Sequence, residues 1–306
     1  MSIRFEGRVA IVTGAGGGLG RQHALALAAR GAKVVVNDLG SGVDGSGAGG
    51  AGNGTVSAAQ KVVDEIRAAG GEAIANGASV TDSGAVQAMV DAALTEWRRV
   101  DILVNNAGIL RDKSFAKMDL ADFRQVMDVH LMGAVNCTKA VWETMRAQSY
   151  GRIVMTTSST GLYGNFGQSN YGAAKMALVG LMQTLALEGA KHGIRVNCLA
   201  PTAATRMTEN LLPEAALRLL VPEAVTPGLL ALVADDAPTR TILCAGAGGF
   251  EQAHVTLTRG IHVGIAGDAA ERVQSGWAEI GDRDGETVPE SGAAQGMLEL
   301  EKAMSN

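Results

Sequence analysis

Short unbroken apolar runs alternate along the chain with longer stretches whose apolar positions recur every three or four residues. Residues 8–14 (RVAIVTG), 32–38 (AKVVVND), 100–105 (VDILVN), 152–157 (RIVMTT) and 194–199 (IRVNCL) read as strands buried on both faces, and 72–79 as a weaker strand. Between them, 19–30, 56–69, 85–98, 120–146 and 171–191 carry helical spacing. This alternation predicts an α/β fold with a doubly wound parallel sheet, right-handed crossovers and helices on both faces. Residues 1–249 are expected to form that single domain. Residues 250–306, glycine- and charge-rich around Trp277, are expected to form a C-terminal extension packing on the domain or on a partner subunit. Met127, Met132, Met145 and Met155 keep helical or strand spacing and are expected in the core.

One segment breaks the rhythm. Residues 40–54 (GSGVDGSGAGGAGNG) form a glycine-rich insertion after the second strand, either a flexible surface loop or a loop that orders over a bound cofactor. Glycine is high overall, 41 of 306 residues, against roughly 7% in average usage. With 6 prolines and no Gly-X-Y period, the excess serves turns and close approaches rather than a collagen helix.

A 47% hydrophobic, 19% charged chain can bury a sizeable core, which excludes a disordered class. Net charge is −5 without a long basic run, so nucleic acid is not an expected partner. Cys137, Cys198 and Cys244 lie far apart, pointing to a reducing, cytoplasmic setting. The 5 histidines lack metal-ligand spacing, and no metal site is expected. No membrane span or signal peptide is expected either.

Thr13-Gly14-Ala15-Gly16-Gly17-Gly18-Leu19-Gly20 lies between the first strand and the first helix, the setting of a dinucleotide-binding Rossmann fold. Gly14 permits the tight turn, Gly18 close approach to a pyrophosphate, and Gly20 close helix–strand packing. The amides opening the helix, from Leu19 on, would face phosphate. Asp38 ends the second strand, where a carboxylate accepts both ribose hydroxyls of adenosine and repels a 2′-phosphate. Neither Gly17, before Gly18, nor Leu39, after Asp38, is basic, so the expected cofactor is NAD rather than NADP.

Tyr171 and Lys175 are spaced to share one helix face. An ammonium there favours phenolate and lowers the tyrosine pKa toward a usable acid/base. Ser158 follows the fifth strand, and its hydroxyl is placed to hold a substrate oxygen beside the phenol.

Together TGAGGGLG (13–20), NNAG (105–108), Ser158 and YGAAK (171–175) resemble the short-chain dehydrogenase/reductase family over roughly residues 7–249. The resemblance implies that Tyr171 is the general acid/base, that Ser158 orients the reacting oxygen, and that Lys175 lowers the tyrosine pKa and binds the nicotinamide ribose. It places Asn106 by the adenosine side, counts Gly108 among the cofactor-binding residues, and puts Ser79-Val80 at the adenine, where relatives often carry Asp-Val. It assigns Ala204 and Thr205 to the nicotinamide carboxamide and counts Pro201 among the cofactor-binding residues. His130 stands where relatives often have asparagine, a residue that holds a lysine-linked water.

NAGILRDKSF (106–115), VHLMGAV (129–135), 150–175 and NCLAPTAATRMTENLLP (197–213) further resemble the (3R)-hydroxyacyl-CoA dehydrogenase region of the type 2 peroxisomal multifunctional enzymes. The glycine-rich insertion and the Trp277 tail are similar too, the tail implying a homodimer or homotetramer. Without a hydratase or sterol-carrier module, the chain is expected to be a stand-alone bacterial version. Residues 207–220, with Leu211, Leu212, Leu217 and Leu220, are expected to form a substrate lid. Arg206 and Lys113 are candidates for CoA phosphates, with plain solvation the alternative. The implied function is NAD-dependent oxidation of a fatty or steroid side-chain (3R)-3-hydroxyacyl-CoA in β-oxidation. Alternatives are a 17β-hydroxysteroid or other secondary-alcohol dehydrogenase, a 3-oxoacyl carrier-protein reductase, and an NAD-binding sensor or scaffold.

Overall fold

The structure is a computed structural model, and it describes residues 2–46, 57–204 and 214–305. The first unit of the chain, Met1–Gln252, is built on one sheet. Its strands are β1 (Val9–Thr13), β2 (Lys33–Asn37), β3 (Ala73–Asn76), β4 (Ile102–Asn105), β5 (Gly151–Thr156), β6 (Ile194–Thr202), β7 (Ile242–Gly246) and β8 (Gly249–Ala253). They lie in the order β3-β2-β1-β4-β5-β6-β7-β8. β1 to β7 pair in parallel, with Ala10 opposite both Val34 of β2 and Ile102 of β4. β1, β4 and β5 are buried at every position, which is why they read as continuous apolar runs.

Helices cover both faces. α1 (Gly18–Ala29) packs on α2 (Ala58–Ala68) and on α9 (Thr226–Leu232). On the other face α3 (Ser83–Trp97) packs on α5 (Gly133–Gln148), and α4 (Leu120–Met127) on α7 (Ser169–Gly189). The short α6 (Ser159–Tyr163) and α8 (Glu214–Leu219) complete the unit. Caps set several boundaries: Ser57 accepts the Gln60 amide ahead of α2, and Asp82 accepts the Gly84 and Ala85 amides ahead of α3.

The structure departs from the sequence reading in four places. The helical stretch 120–146 is interrupted by a π-helical segment, Asp128–Met132. One inserted residue rotates the rest of the helix by about 100°. Met132 therefore emerges partly exposed rather than in the core, while Met145 and Met155 are fully buried. The weak strand at 72–79 shrinks to β3, at the sheet edge. β6 runs past its expected end, to Thr202. β7 and β8 extend the sheet beyond the expected strands; Ala247 and Gly248 join them with φ of 49° and 81°, the backbone of a type I′ hairpin turn.

The second unit, Ala253–Asn306, holds α10 (Ala269–Ser275), α11 (Trp277–Ile280) and α12 (Ala293–Met304). A bridge between Leu257 and Thr287 and the bond from Thr258 Oγ1 to the Ile280 carbonyl (2.7 Å) tie it internally. Among the described residues no helix is long and apolar enough to cross a membrane.

Candidate active site

The strand order reverses between β1 and β4, and a cavity of about 940 Å3 opens at the carboxyl ends of the strands there. One end is the glycine turn. Gly14 and Gly18 sit at φ of 62° and 52°, backbone that side chains disfavour. A Cβ on Gly20 would lie 2.3 Å from the Gly14 carbonyl oxygen, so this helix–strand contact exists only with glycine. Asn106 locks the turn from β4, its Nδ2 donating to the carbonyls of Thr13 (2.9 Å) and Gly14 (3.1 Å). Thr13 Oγ1 accepts the amides of Asn106 and Ala107. Asn106 thus shapes the cradle as well as lining it.

Asp38 lines the cavity beside this turn. Its two oxygens accept the amides of Gly16 and Gly40, each at 2.8 Å. A Cβ on Gly16 would fall 2.8 Å from that carboxylate. Ser79 and Val80 line the adjacent wall, with the Val80 carbonyl held by Asn136 Nδ2 at 2.9 Å. A cradle that a Cβ would fill, helix-opening amides and a fixed carboxylate suit an adenosine diphosphate.

At the other end Ser158, Tyr171 and Lys175 line the same cavity, with Gly108 and Pro201 nearby. Ser158 follows β5 and caps α6, its Oγ accepting the Thr160 amide at 3.2 Å. That occupies a lone pair and leaves the hydroxyl proton to donate toward Tyr171, its hydrogen-bond partner. Lys175 is buried, donating from Nζ to the Thr156 carbonyl at 2.5 Å, with Nζ 5.4 Å from the Tyr171 ring centre. Thr157 Oγ1 holds the Lys175 carbonyl at 2.6 Å.

Electrostatics differ from expectation. Burial pushes the Lys175 ammonium down to about 7. Burial also raises the Tyr171 phenol above its ordinary value, and the Ser158 hydrogen bond works against that rise. Desolvation thus disfavours the ionised form of each of the two side chains.

His130 is buried on the π-helical segment, pressed against Gly108, where a Cβ would lie 2.3 Å from the ring. Its Nε2 sits 2.8 Å from the Ile109 carbonyl and 3.1 Å from the Ile109 amide. Desolvation, with Lys175 adding to it, lowers its pKa to about 3, so the ring is neutral.

Not every expected residue reaches the cavity. Ala204 does not line it, and its amide donates to the Leu220 carbonyl at 2.5 Å. Thr205, Arg206, much of the expected lid, including Leu211 and Leu212, and the second half of the 40–54 insertion lie outside the described residues. Lys113 bonds Asp119 and Asp122, each at 3.1 Å, rather than standing free for a phosphate. Sequence reasoning missed Asn37, Thr156, Asn165 and Gln168, which line the cavity; Gln168, a few residues before Tyr171, was the most findable.

Comparison with known proteins agrees with this architecture. The short chain dehydrogenase family model matches residues 50–216. The peroxisomal hydratase-dehydrogenase-epimerase of Saccharomyces cerevisiae is 51% identical over 249 residues, 81% of this chain and 27% of that protein. The full-length peroxisomal multifunctional enzyme type 2 of Drosophila melanogaster superposes with a TM-score of 0.79 at 35% identity, over 99% of this chain and 50% of that one. A short chain dehydrogenase from Mycobacterium avium superposes with a TM-score of 0.76 at 40% identity, over 90% and 95%. The chain spans between 27% and 64% of the first curated relatives it matches. With the glycine turn, Ser158, Tyr171 and Lys175 gathered at one cleft, the chain belongs to the short-chain dehydrogenase family and is an oxidoreductase.

Proposed function

We propose that the protein oxidises (3R)-3-hydroxyacyl-CoA thioesters to 3-ketoacyl-CoA with NAD. The observation that carries this reading is one continuous cavity, with the Asp38 carboxylate at one end and Ser158 and Tyr171 at the other. The similarity to a peroxisomal hydratase-dehydrogenase-epimerase and to a peroxisomal multifunctional enzyme type 2 supports the substrate class.

The bound nicotinamide supplies the acceptor for the two electrons and hydrogen leaving the hydroxyl-bearing carbon. The chain supplies binding and proton handling. Asp38 accepts the adenosine ribose hydroxyls, and the glycine turn takes the pyrophosphate. Ser158 donates to the reacting oxygen, already oriented by the Thr160 amide. Tyr171 accepts the hydroxyl proton as the carbon–oxygen double bond forms. Lys175, held on the Thr156 carbonyl, is placed to favour the tyrosinate whenever it carries its proton.

The test is NADH formation from matched (3R)- and (3S)-hydroxyacyl-CoA and from a free 17β-hydroxysteroid. Turnover of the (3R) thioester alone supports the reading, whereas turnover of the free steroid alone replaces it with a hydroxysteroid dehydrogenase.

A further inference from the structure

Residues 40–46, the described part of the glycine-rich insertion, form an arm folded onto the cavity. Ser41, Gly42, Val43 and Gly45 line it together with Gly14 and Gly18 of the glycine turn. The arm is closed on itself. The Gly42 amide donates to the Ser46 carbonyl at 2.7 Å and the Gly45 amide to the Gly42 carbonyl at 3.0 Å. Asp44 Oδ1 accepts both the amide (2.9 Å) and the hydroxyl (2.6 Å) of Ser46. Gly45 has φ of 79°, and a Cβ there would lie 3.3 Å from Gln125 Nε2 and from Ile109 Cγ2. Glycine at this position lets the arm lie close against the chain leaving β4.

The arm is fixed at its root and at its tip. At the root, Asp38 accepts the Gly40 amide with one oxygen and the Gly16 amide of the glycine turn with the other. At the tip, the Leu110 amide donates to the Val43 carbonyl and Arg111 Nε to the Asp44 carbonyl, each at 3.0 Å. β2 and β4 lie on opposite sides of β1. An arm that leaves β2 and is held by the chain after β4 therefore spans the carboxyl end of β1, where the glycine turn begins. Arg111 is itself held from two helices. Its Nη1 donates to Asp122 of α4 at 2.6 Å, and its carbonyl accepts Asn170 Nδ2 of α7 at 3.0 Å. Asn170 is fully buried, one residue before Tyr171.

We propose that residues 40–46 are a strap across the bound dinucleotide, and that Arg111 is its clasp, a positioning residue that sets how fast the cofactor enters and leaves. The assignment rests on the dinucleotide reading of the glycine turn and Asp38, and is independent of which alcohol is oxidised. The glycine turn, the arm and Tyr171 line one cavity, so a ligand that reaches from the turn to Tyr171 passes the arm. The carboxylate that takes the adenosine ribose also anchors the root of the strap, which ties the strap to the occupied end of the site. Exchange of the dinucleotide then requires the tip to lift from Leu110 and Arg111. Closures of this kind set product release in many enzymes.

The test is stopped-flow association and chase of NADH, and in parallel of NADPH, with wild type, Arg111→Met and Asp44→Ala. Arg111→Met keeps the apolar stem and removes the donors, while Asp122 retains Lys113 at 3.1 Å. Asp44→Ala, at an exposed position, removes the acceptor that closes the arm. Dissociation is expected to quicken by about tenfold or more in both variants, since each loses hydrogen bonds with a charged partner from the closed state. Association quickens with it, because a strap that hinders exit also hinders entry, and Kd therefore changes less than the dissociation rate. Dissociation within about twofold of wild type would overturn the proposal. So would faster dissociation at an unchanged association rate, which would make the arm a plain ligand contact. If Arg111→Met fails to fold, Asp44→Ala decides alone. If wild type turns over no hydroxyacyl thioester but both variants speed exchange of either dinucleotide, the strap stands and the reaction assignment alone falls. Wild type that binds neither dinucleotide would overturn both.

Discussion

The His130 imidazole meets the Tyr171 ring edge-on, with centroids 5.2 Å apart and planes at 90°. The π-helical turn at Asp128–Met132 and the bare Gly108 backbone make room for that contact, and the Ile109 main chain anchors Nε2. His130 thereby fixes the plane of the phenol. Replacing it with alanine removes one wall of the Tyr171 seat. The expected result for His130→Ala is a kcat lowered by roughly 10–100-fold with dinucleotide affinity nearly unchanged, since small misplacements of a reacting group cost that much. Fluorescence titration with NADH beside steady-state kinetics separates the two. Equal loss of both would mean that the histidine serves the fold as a whole.

His23 and His130 are both buried, with pKa values lowered to about 3 by desolvation. Below the ordinary value of 6.5 the unfolded chain binds protons that the folded chain refuses. Stability is therefore full above about pH 6.5 and declines as pH falls toward 3, by about 1.4 kcal/mol per pH unit for each histidine. His23 also holds Thr226 Oγ1 at 3.0 Å, while its buried Nε2 has no partner among the described residues. His23→Leu is expected to flatten the acid slope by about one proton in urea melts between pH 7 and 4. An unchanged slope would contradict the assignment.

The glycine turn admits no side chain at Gly20, where a Cβ would also lie 2.6 Å from Asn106 Nδ2. Gly20→Ala must displace the Asn106 lock and the turn together. The expected outcome is a loss of about 1–3 kcal/mol in stability and a larger loss of dinucleotide affinity, read by thermal melts with and without NAD. Gly180, with open space around its Cβ position, is the control: Gly180→Ala should not weaken NAD binding.

Asp38 sits where a 2′-phosphate would fall if the cradle holds adenosine. Asp38→Ala combined with Leu39→Arg removes the repulsion and adds a cation. The ratio of kcat/KM for NADP to that for NAD is expected to rise by at least tenfold. An unmoved ratio would show that cofactor choice is made elsewhere.

Residue types reveal much of this molecule in advance, but unevenly. β1, β2, β4 and β5 are legible because strands buried on both faces must be apolar throughout. β8 escapes notice because Phe250, Glu251 and Gln252 are exposed at the sheet edge and carry no buried pattern. β7 is as long as β1, but Leu243 and Cys244 are only partly buried and its run ends in small residues, Ala245 and Gly246, so it does not stand out as a strand buried on both faces. The site residues stand out because their chemistry is tied to fixed spacing: glycines at the turn, Tyr171 one helical turn from Lys175. Long-range partners do not show in this way. Nothing local in Ser158 announces the Thr160 amide, and nothing in His130 announces the π turn that aims it at Tyr171. Burial is hidden in the same way: spacing gives Tyr171 its lysine neighbour but not the desolvation that raises the phenol.

Tyr171→Phe tests the central claim most directly. The variant keeps the ring against His130 and removes only the hydroxyl that exchanges the proton. With (3R)-3-hydroxyacyl-CoA and NAD, turnover should fall by about 10²–10⁴-fold while NAD affinity stays within about twofold of wild type. Turnover at the wild-type rate would contradict the account, because the proton would then be leaving through another group.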